Sequence, residues 1–149
     1  MCDRAAERMA ALIRADYKFV NRDVPRSVMD MNRPVARETA FRRAIAATPA
    51  RVLIDVHSFP CCVFGDAHFA IMEPAPTPEV KRLIDEYLRP MTGMVGMWMP
   101  GDAVVNSIVA DARERGVQVS FLLEVREDLT PTAIATAINT WTESLPAHK

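Results

Sequence analysis

The residues best suited to chemistry begin at the end of an apolar run. The sequence RVLIDV covers residues 51–56, and His57 follows it directly. A neutral imidazole is a common zinc ligand, and the end of a strand would hold it rigidly. Asp55 lies two positions earlier, so it would point to the same side and orient the imidazole. The alternative is a histidine whose ring is satisfied by backbone carbonyls.

A second apolar run, VQVSFLLEV, covers residues 117–125 and carries Glu124 near its end. A carboxylate in such a run costs free energy unless it is paired or is neutral with a raised pKa. A raised pKa suits a general base that works near neutral pH. Arg126 stands two positions on and is the natural partner. A catalytic glutamate and a structural Glu–Arg pair both remain open.

The third candidate is the pair Asn32–Arg33, which precedes a proline. A guanidinium grips a carboxylate with two parallel hydrogen bonds, so Arg33 could anchor an acidic substrate. The alternative is a surface arginine at the end of a strand. Cys61 and Cys62, with Asp66 and His68 beyond, match no standard zinc spacing, and packing thiols are the favoured interpretation.

Composition excludes several classes of function. The 149 residues include 18 Lys and Arg against 19 Asp and Glu, for a net charge of −1. Nucleic acid or an anionic membrane surface would favour a basic excess, so neither is expected as a partner. The one basic cluster, Arg37, Arg42 and Arg43, is interpreted as a solvated helix face. No segment resembles a signal peptide or a membrane span, and the three cysteines form no disulfide framework, so a cytoplasmic location is expected.

Helices and strands alternate along the chain. Helical spacing of apolar residues predicts helices over residues 4–16, 35–47, 77–90, 102–115 and 130–144. Strands are predicted over residues 27–31, 51–56, 68–72, 94–99 and 117–125. The pattern predicts one α/β domain over residues 1–149, with a mostly parallel sheet covered by helices on both faces. Ligands of such sheets bind at the carboxyl ends of the strands, where His57 and Glu124 are both expected.

Three segments resemble one family when they are taken together. SVMDMNRP, VLIDVHSFP and FLLEVREDL occur in this order and resemble motifs of the N-formylglutamate amidohydrolases, and more distantly of the zinc carboxypeptidases. The resemblance covers roughly residues 19–145. Each motif is short, so its specificity comes from the ordered set.

The resemblance implies roles for individual residues. His57 would be a zinc ligand, with Asp55 behind it, and Glu124 would be the general acid and base beside zinc-bound water. Asn32 and Arg33 would bind the substrate carboxylate, with Arg126 as a further substrate-binding residue. The implied fold is a truncated, phosphorylase/hydrolase-like three-layer α/β/α sandwich with a mostly parallel, mixed sheet.

The chain departs from the family in its metal ligands. The other two zinc ligands of the family are a His followed closely by a Glu, and no histidine of this chain has a Glu three residues later. His68 and Asp66 could replace them, a second chain could supply them, or the chemistry could be lost. Two functions therefore remain open.

The first function is a zinc hydrolase that cleaves a small N-acyl amino acid or a peptide C-terminus. The second is a non-catalytic relative, a pseudoenzyme that serves as a structural, assembly or binding subunit, as a homo-oligomer or with a second chain. Its contact surface would lie in the apolar run around residues 94–99, which contains Met94, Met97, Trp98 and Met99.

Overall fold

Four strands form one open, mixed sheet in the computed structural model, which describes residues 4–101 and 106–147. The strands are β1 (Val52–Phe59), β2 (Phe69–Glu73), β3 (Gly96–Pro100) and β4 (Val119–Arg126). Their order across the sheet is β1-β4-β2-β3. β1 and β4 are parallel, β2 and β3 are parallel, and β2 runs antiparallel to β4. The predicted mostly parallel sheet is confirmed at this level.

Helical segments connect the strands. They are α1 (Arg4–Leu12), a 3-10 helix (Pro34–Glu38), α2 (Ala40–Ala47), α3 (Pro78–Arg82), a π-helical turn (Leu83–Leu88), α4 (Arg89–Thr92), α5 (Ser107–Glu114) and α6 (Thr132–Ser144). Within the described ranges, no helix has both the length and the apolar character that crossing a bilayer requires.

Alternate side chains of β4 face different helices. Phe121 and Leu123 belong to an apolar core that also contains Met9 of α1 and Trp141 of α6. Ser120 points to the opposite face because strand side chains alternate, and its hydroxyl donates to the carbonyl oxygen of Val109 in α5 at 3.0 Å. Helices therefore pack on both faces of the sheet.

The continuous helical stretch between β2 and β3 begins and bends for local reasons. The Thr77 side chain accepts a hydrogen bond from the backbone N–H of Val80, and Pro78 occupies the first turn, as the sequence predicts. Pro90 has no N–H to donate, and its ring would clash with a carbonyl of a regular α-helix. The turn before it widens accordingly, so the N–H of Arg89 donates to the carbonyl oxygen of Ile84, five residues back.

Three predicted elements are wrong in part. The strand predicted over residues 27–31 is a turn region, because the carbonyl oxygen of Pro25 accepts from the N–H groups of Val28 and Met29. The helix predicted over residues 35–47 is divided where Thr39 ends the 3-10 helix and caps α2. The predicted cap Asp102 lies outside the described residues, and α5 begins at Ser107.

Strand β1 also differs from its prediction. Its apolar run predicted a strand covered on both faces, but β1 lies at an edge of the sheet and all its residues except Phe59 are partly exposed. It also continues past residue 56, so His57 lies within the strand. An apolar run indicates that both faces of a strand are covered, but it does not indicate whether another strand is hydrogen-bonded to each of its two edges.

Candidate functional site

The register of two parallel strands places His57 beside Glu124. His57 of β1 is paired with Glu124 of β4, and Asp55 is paired with Leu122. Paired residues of neighbouring strands point to the same face, so Asp55, His57 and Glu124 share the face on which α5 packs. The predicted meeting of the histidine and the glutamate is therefore present in the structure.

Asp55 orients the His57 ring and favours its protonated form. Its Oδ1 lies 3.2 Å from Nε2 of His57, and the two side chains are 14% and 21% exposed. Burial disfavours the imidazolium, but the charge and hydrogen bond of Asp55 and the charge of Glu124 outweigh it and raise the pKa of His57 to about 9. His57 is therefore an imidazolium at neutral pH, between two carboxylates.

Asn32 connects the first motif to this pair. Its side-chain N–H donates to Oδ2 of Asp55 at 2.8 Å, so both carboxylate oxygens of Asp55 are engaged. Its side-chain oxygen accepts from the N–H of Ile108, and its backbone oxygen accepts from the N–H of Ser107. Asn32 is only 4% exposed and ties Asp55 to the start of α5. These contacts give it a positioning role, and contact with a substrate stays a prediction.

Arg42 of α2 binds the segment that contains Asn32 and the start of α5. It is 5% exposed, and its guanidinium donates to the backbone oxygen of Met31 at 2.7 Å, to the hydroxyl of Ser107 at 2.8 Å and to Asp111 at 2.5 Å. The prediction of a solvated face is wrong for Arg42, although Arg43 is exposed. Sequence spacing could not find these contacts because the partners come from two distant segments.

Two guanidinium groups flank the carboxylate of Asp30, which precedes Asn32 by two residues. Arg33 and Arg26 each lie 3.4 Å from the Asp30 carboxylate, and their side chains are 39% and 68% exposed. Burial favours the neutral acid, but the N–H of Asn32 and these two charges lower the pKa of Asp30. The charge of Arg26 also acts on His57, whose pKa it lowers slightly. Arg26 had no signal in the sequence beyond its place after a proline.

Arg126 pairs with an acidic residue of the turn that follows β4, and the expected pair with Glu124 stays a prediction. Its Nε donates to Asp128 at 2.7 Å, and this pair lowers the pKa of Asp128. Arg126 follows Glu124 by two positions on β4 and therefore lies on the same face. A role in binding a substrate stays a prediction.

Within the described residues, the side chains with metal-binding chemistry do not gather into a three-ligand group. A catalytic zinc usually has three protein ligands, and the described residues contain no group of three or more His, Cys, Asp or Glu side chains that could hold a metal. Nδ1 of His68 accepts from the N–H of Val95, so this ring nitrogen is engaged by the backbone, and a ligand role for His68 with Asp66 stays a prediction. His57 would have to lose its proton before it could bind a metal.

Two clefts lie away from these residues. One of about 610 Å³ lies between α2 and α5 and is lined by side chains that include Arg37, Arg42 and Asp111. Another of about 290 Å³ is lined in part by Glu73 and Trp98. The His57 site is instead a row of partly exposed side chains on the sheet. Its chemistry, rather than its depth, makes it the candidate site.

Comparison of the chain with models of protein families, with characterised proteins and with solved structures found no match. The case for a function therefore depends on the contacts among Asn32, Asp55, His57 and Glu124.

Proposed function

We propose that this chain carries the general-base and carboxylate-binding part of an amidohydrolase site that acts on a small N-acyl amino acid or a peptide C-terminus. The convergence of three distant motif segments supports this proposal. Asn32 contacts Asp55, Asp55 contacts His57, and His57 lies beside Glu124. The segments that resemble the N-formylglutamate amidohydrolases are thus one connected set.

The proposed chemistry begins at Glu124. Its carboxylate accepts a proton from the water that attacks the amide carbon, and the proton passes to the departing amine as the C–N bond breaks. Negative charge develops on the carbonyl oxygen during the attack. A positive centre beside the base stabilises that charge, and the imidazolium of His57 has the charge and the position for it.

The guanidinium groups of Arg33 and Arg26 are suited to binding the substrate carboxylate. Arg33 and Arg26 both lie 3.4 Å from the Asp30 carboxylate, so two guanidinium groups are held close together. A planar guanidinium binds a carboxylate through paired hydrogen bonds. We assign Arg33 the role of substrate anchor, as the family resemblance implies, and Arg26 a supporting electrostatic role.

Zinc and the finer fold belong to the same proposal. In the zinc form of the proposal, which replaces the imidazolium, His57 gives up its proton and is one ligand, as the resemblance implies. Further ligands would come from outside the described residues or from a second chain. The resemblance also implies a three-layer α/β/α sandwich of the phosphorylase/hydrolase-like type. The open four-stranded sheet with helices on both faces is consistent with that architecture.

Glu124→Gln is expected to lower kcat for hydrolysis of N-formylglutamate by about 100- to 10,000-fold, the usual contribution of a general base. Gln has the same shape but cannot accept the proton. Turnover is measured by amine release, with and without added zinc, and bound zinc is measured by elemental analysis.

Glu127→Gln is the matched control, because Glu127 is exposed and lies three residues further along the chain. It should leave kcat unchanged. A wild-type protein that hydrolyses no N-acyl amino acid with zinc supplied would refute the enzyme proposal. Full activity in Glu124→Gln would remove Glu124 from its role.

A second candidate function is that of an assembly subunit, and exposed apolar side chains support it. Met91, Val95 and Trp98, in and before edge strand β3, are 45%, 56% and 37% exposed. Such side chains on an edge strand are suited to contact with another chain. Val95 and Trp98 lie within the predicted contact run of residues 94–99, whereas Met91 precedes it and Met94, Met97 and Met99 are half-buried.

Val95→Asp is expected to dissociate a wild-type oligomer into monomers, because it places a charge within that apolar surface. Analytical ultracentrifugation measures the change. Val28→Asp is the control, since Val28 is 73% exposed in a different segment. A wild-type protein that stays monomeric at high concentration would contradict self-assembly.

A further inference from the structure

Two adjacent thiols project from the loop that follows β1. Cys61 and Cys62 are both reduced and exposed. A hydrogen bond with the Cys62 thiol raises the pKa of the Cys61 thiol, so the two sulfur groups lie together. Neighbouring side chains of an extended chain would point to opposite sides. The backbone must therefore reverse between the two cysteines.

The reversal occurs at Cys62, which has a φ of +74°. A left-handed conformation is sterically unfavourable for a residue other than glycine, and Gly65, with a φ of +59°, shows the usual choice in the same loop. Strained residues that persist without glycine are concentrated at functional sites. Here the strained backbone holds one thiol against the other.

The surrounding loop fixes this geometry in advance. Cys62 and Gly65 form an isolated antiparallel bridge. The N–H of Ala67 donates to the carbonyl oxygen of Phe64 at 3.1 Å. The Phe64 ring packs edge-on against Phe59 of β1, with ring centroids 4.8 Å apart. Because the loop is already ordered, a ligand that bonds both sulfur atoms would bind without the conformational-entropy cost of ordering it.

We propose that Cys61 and Cys62 form a two-thiol site that binds a trivalent arsenic or antimony compound with two exchangeable oxygen ligands. Such a centre takes two sulfur atoms from the protein and keeps its third substituent. It needs no third protein ligand, in keeping with the absence of a three-residue metal group among the residues described.

The binding reaction is a condensation without redox change. For a hydrated aryl arsenic compound, each As–OH group reacts with one thiol. Two As–S bonds form, two As–O bonds break, and the two thiol protons leave with the hydroxyl groups as two molecules of water. Neutral thiols are the reacting form in this balance, and arsenic stays trivalent.

The test uses phenylarsine oxide and the full-length chain. We expect one arsenic per chain by intact mass spectrometry and protection of two of the three cysteines from a maleimide. Cys61→Ser and Cys62→Ser should each weaken binding by about 100-fold or more, because attachment at two points raises affinity by that factor. A 1,2-dithiol should remove the arsenic, and a monothiol at the same thiol concentration should not.

Cys2→Ser is the matched control and should bind as the wild type does. Serine nearly matches cysteine in size, and Cys61 and Cys62 are both exposed. Circular dichroism verifies that the variants fold. Undiminished binding in Cys61→Ser or Cys62→Ser, or protection of a single cysteine, would overturn the proposal. The outcome does not depend on hydrolase activity, so the two proposals fail separately.

Discussion

Asp55→Asn is expected to move the pKa of His57 from about 9 to near or below its ordinary value of 6.5. The substitution removes the charge that opposes the effect of burial, and asparagine cannot balance an imidazolium. An NMR titration of the imidazole protons measures the change. Asp85→Asn is the control, because Asp85 pairs with Lys81 and Arg89 on an exposed helix surface.

The same pair predicts how stability depends on pH. The folded pKa of His57 lies above its unfolded value, so its contribution is complete below pH 6.5 and is lost as the pH rises through about 9. The shift corresponds to about 3 kcal/mol at most, at 1.36 kcal/mol for each pH unit. Urea unfolding at several pH values should show this decline in the wild type and a flatter profile in Asp55→Asn. Identical profiles for the two proteins would contradict the Asp55–His57 pair.

Glu73→Ala is expected to lower the free energy of unfolding by about 3–5 kcal/mol, the usual cost of breaking a buried ion pair. Glu73 is 1% exposed and lies 3.0 Å from a guanidinium nitrogen of Arg113. It also accepts from the indole N–H of Trp98 and from the N–H and hydroxyl of Thr77. Its loss leaves the Trp98 indole and the Thr77 donors without this acceptor, leaves the Arg113 charge without its carboxylate, and removes support from the cap of α3.

Two further variants separate charge from shape in this cluster. Glu73→Gln keeps the volume and one acceptor oxygen, so it should lose less stability than Glu73→Ala. Glu86→Ala removes a carboxylate that is 61% exposed and paired with Arg82, and should change the free energy by no more than about 0.5 kcal/mol. Chemical unfolding measures all three. Equal losses for Glu73→Ala and Glu86→Ala would refute the assigned role of Glu73.

The parts of the fold that sequence predicts well are those with strong local signals. The run that became β4 is almost wholly apolar, and Thr77, Pro78 and Gly116 mark helix ends through their own chemistry. Gly116 has a φ of +89°, a conformation that favours glycine. Such features act over a few residues, so the sequence alone contains them.

The parts that sequence misses depend on distant contacts. Asn32 and Asp55 are 23 positions apart, and their hydrogen bond exists because the segment before the 3-10 helix lies over β1. Arg42 is buried only because Met31, Ser107 and Asp111 supply acceptors from separate segments. Local spacing contains neither fact. The alternation of strands and helices correctly predicted that His57 and Glu124 lie together, whereas the position of β1 at the sheet edge required the whole topology.

The location of the histidine on an edge strand has a dynamic consequence. β1 has one strand neighbour, β4, so it can separate from the sheet by breaking one ladder of hydrogen bonds, whereas β4 must break two. Amide protons of β1 should therefore exchange with deuterium faster than those of β4. Brief local opening would separate the imidazole from Asp55 and Glu124 while the rest of the molecule stays folded. On heating, His57 should therefore lose these contacts before the protein unfolds.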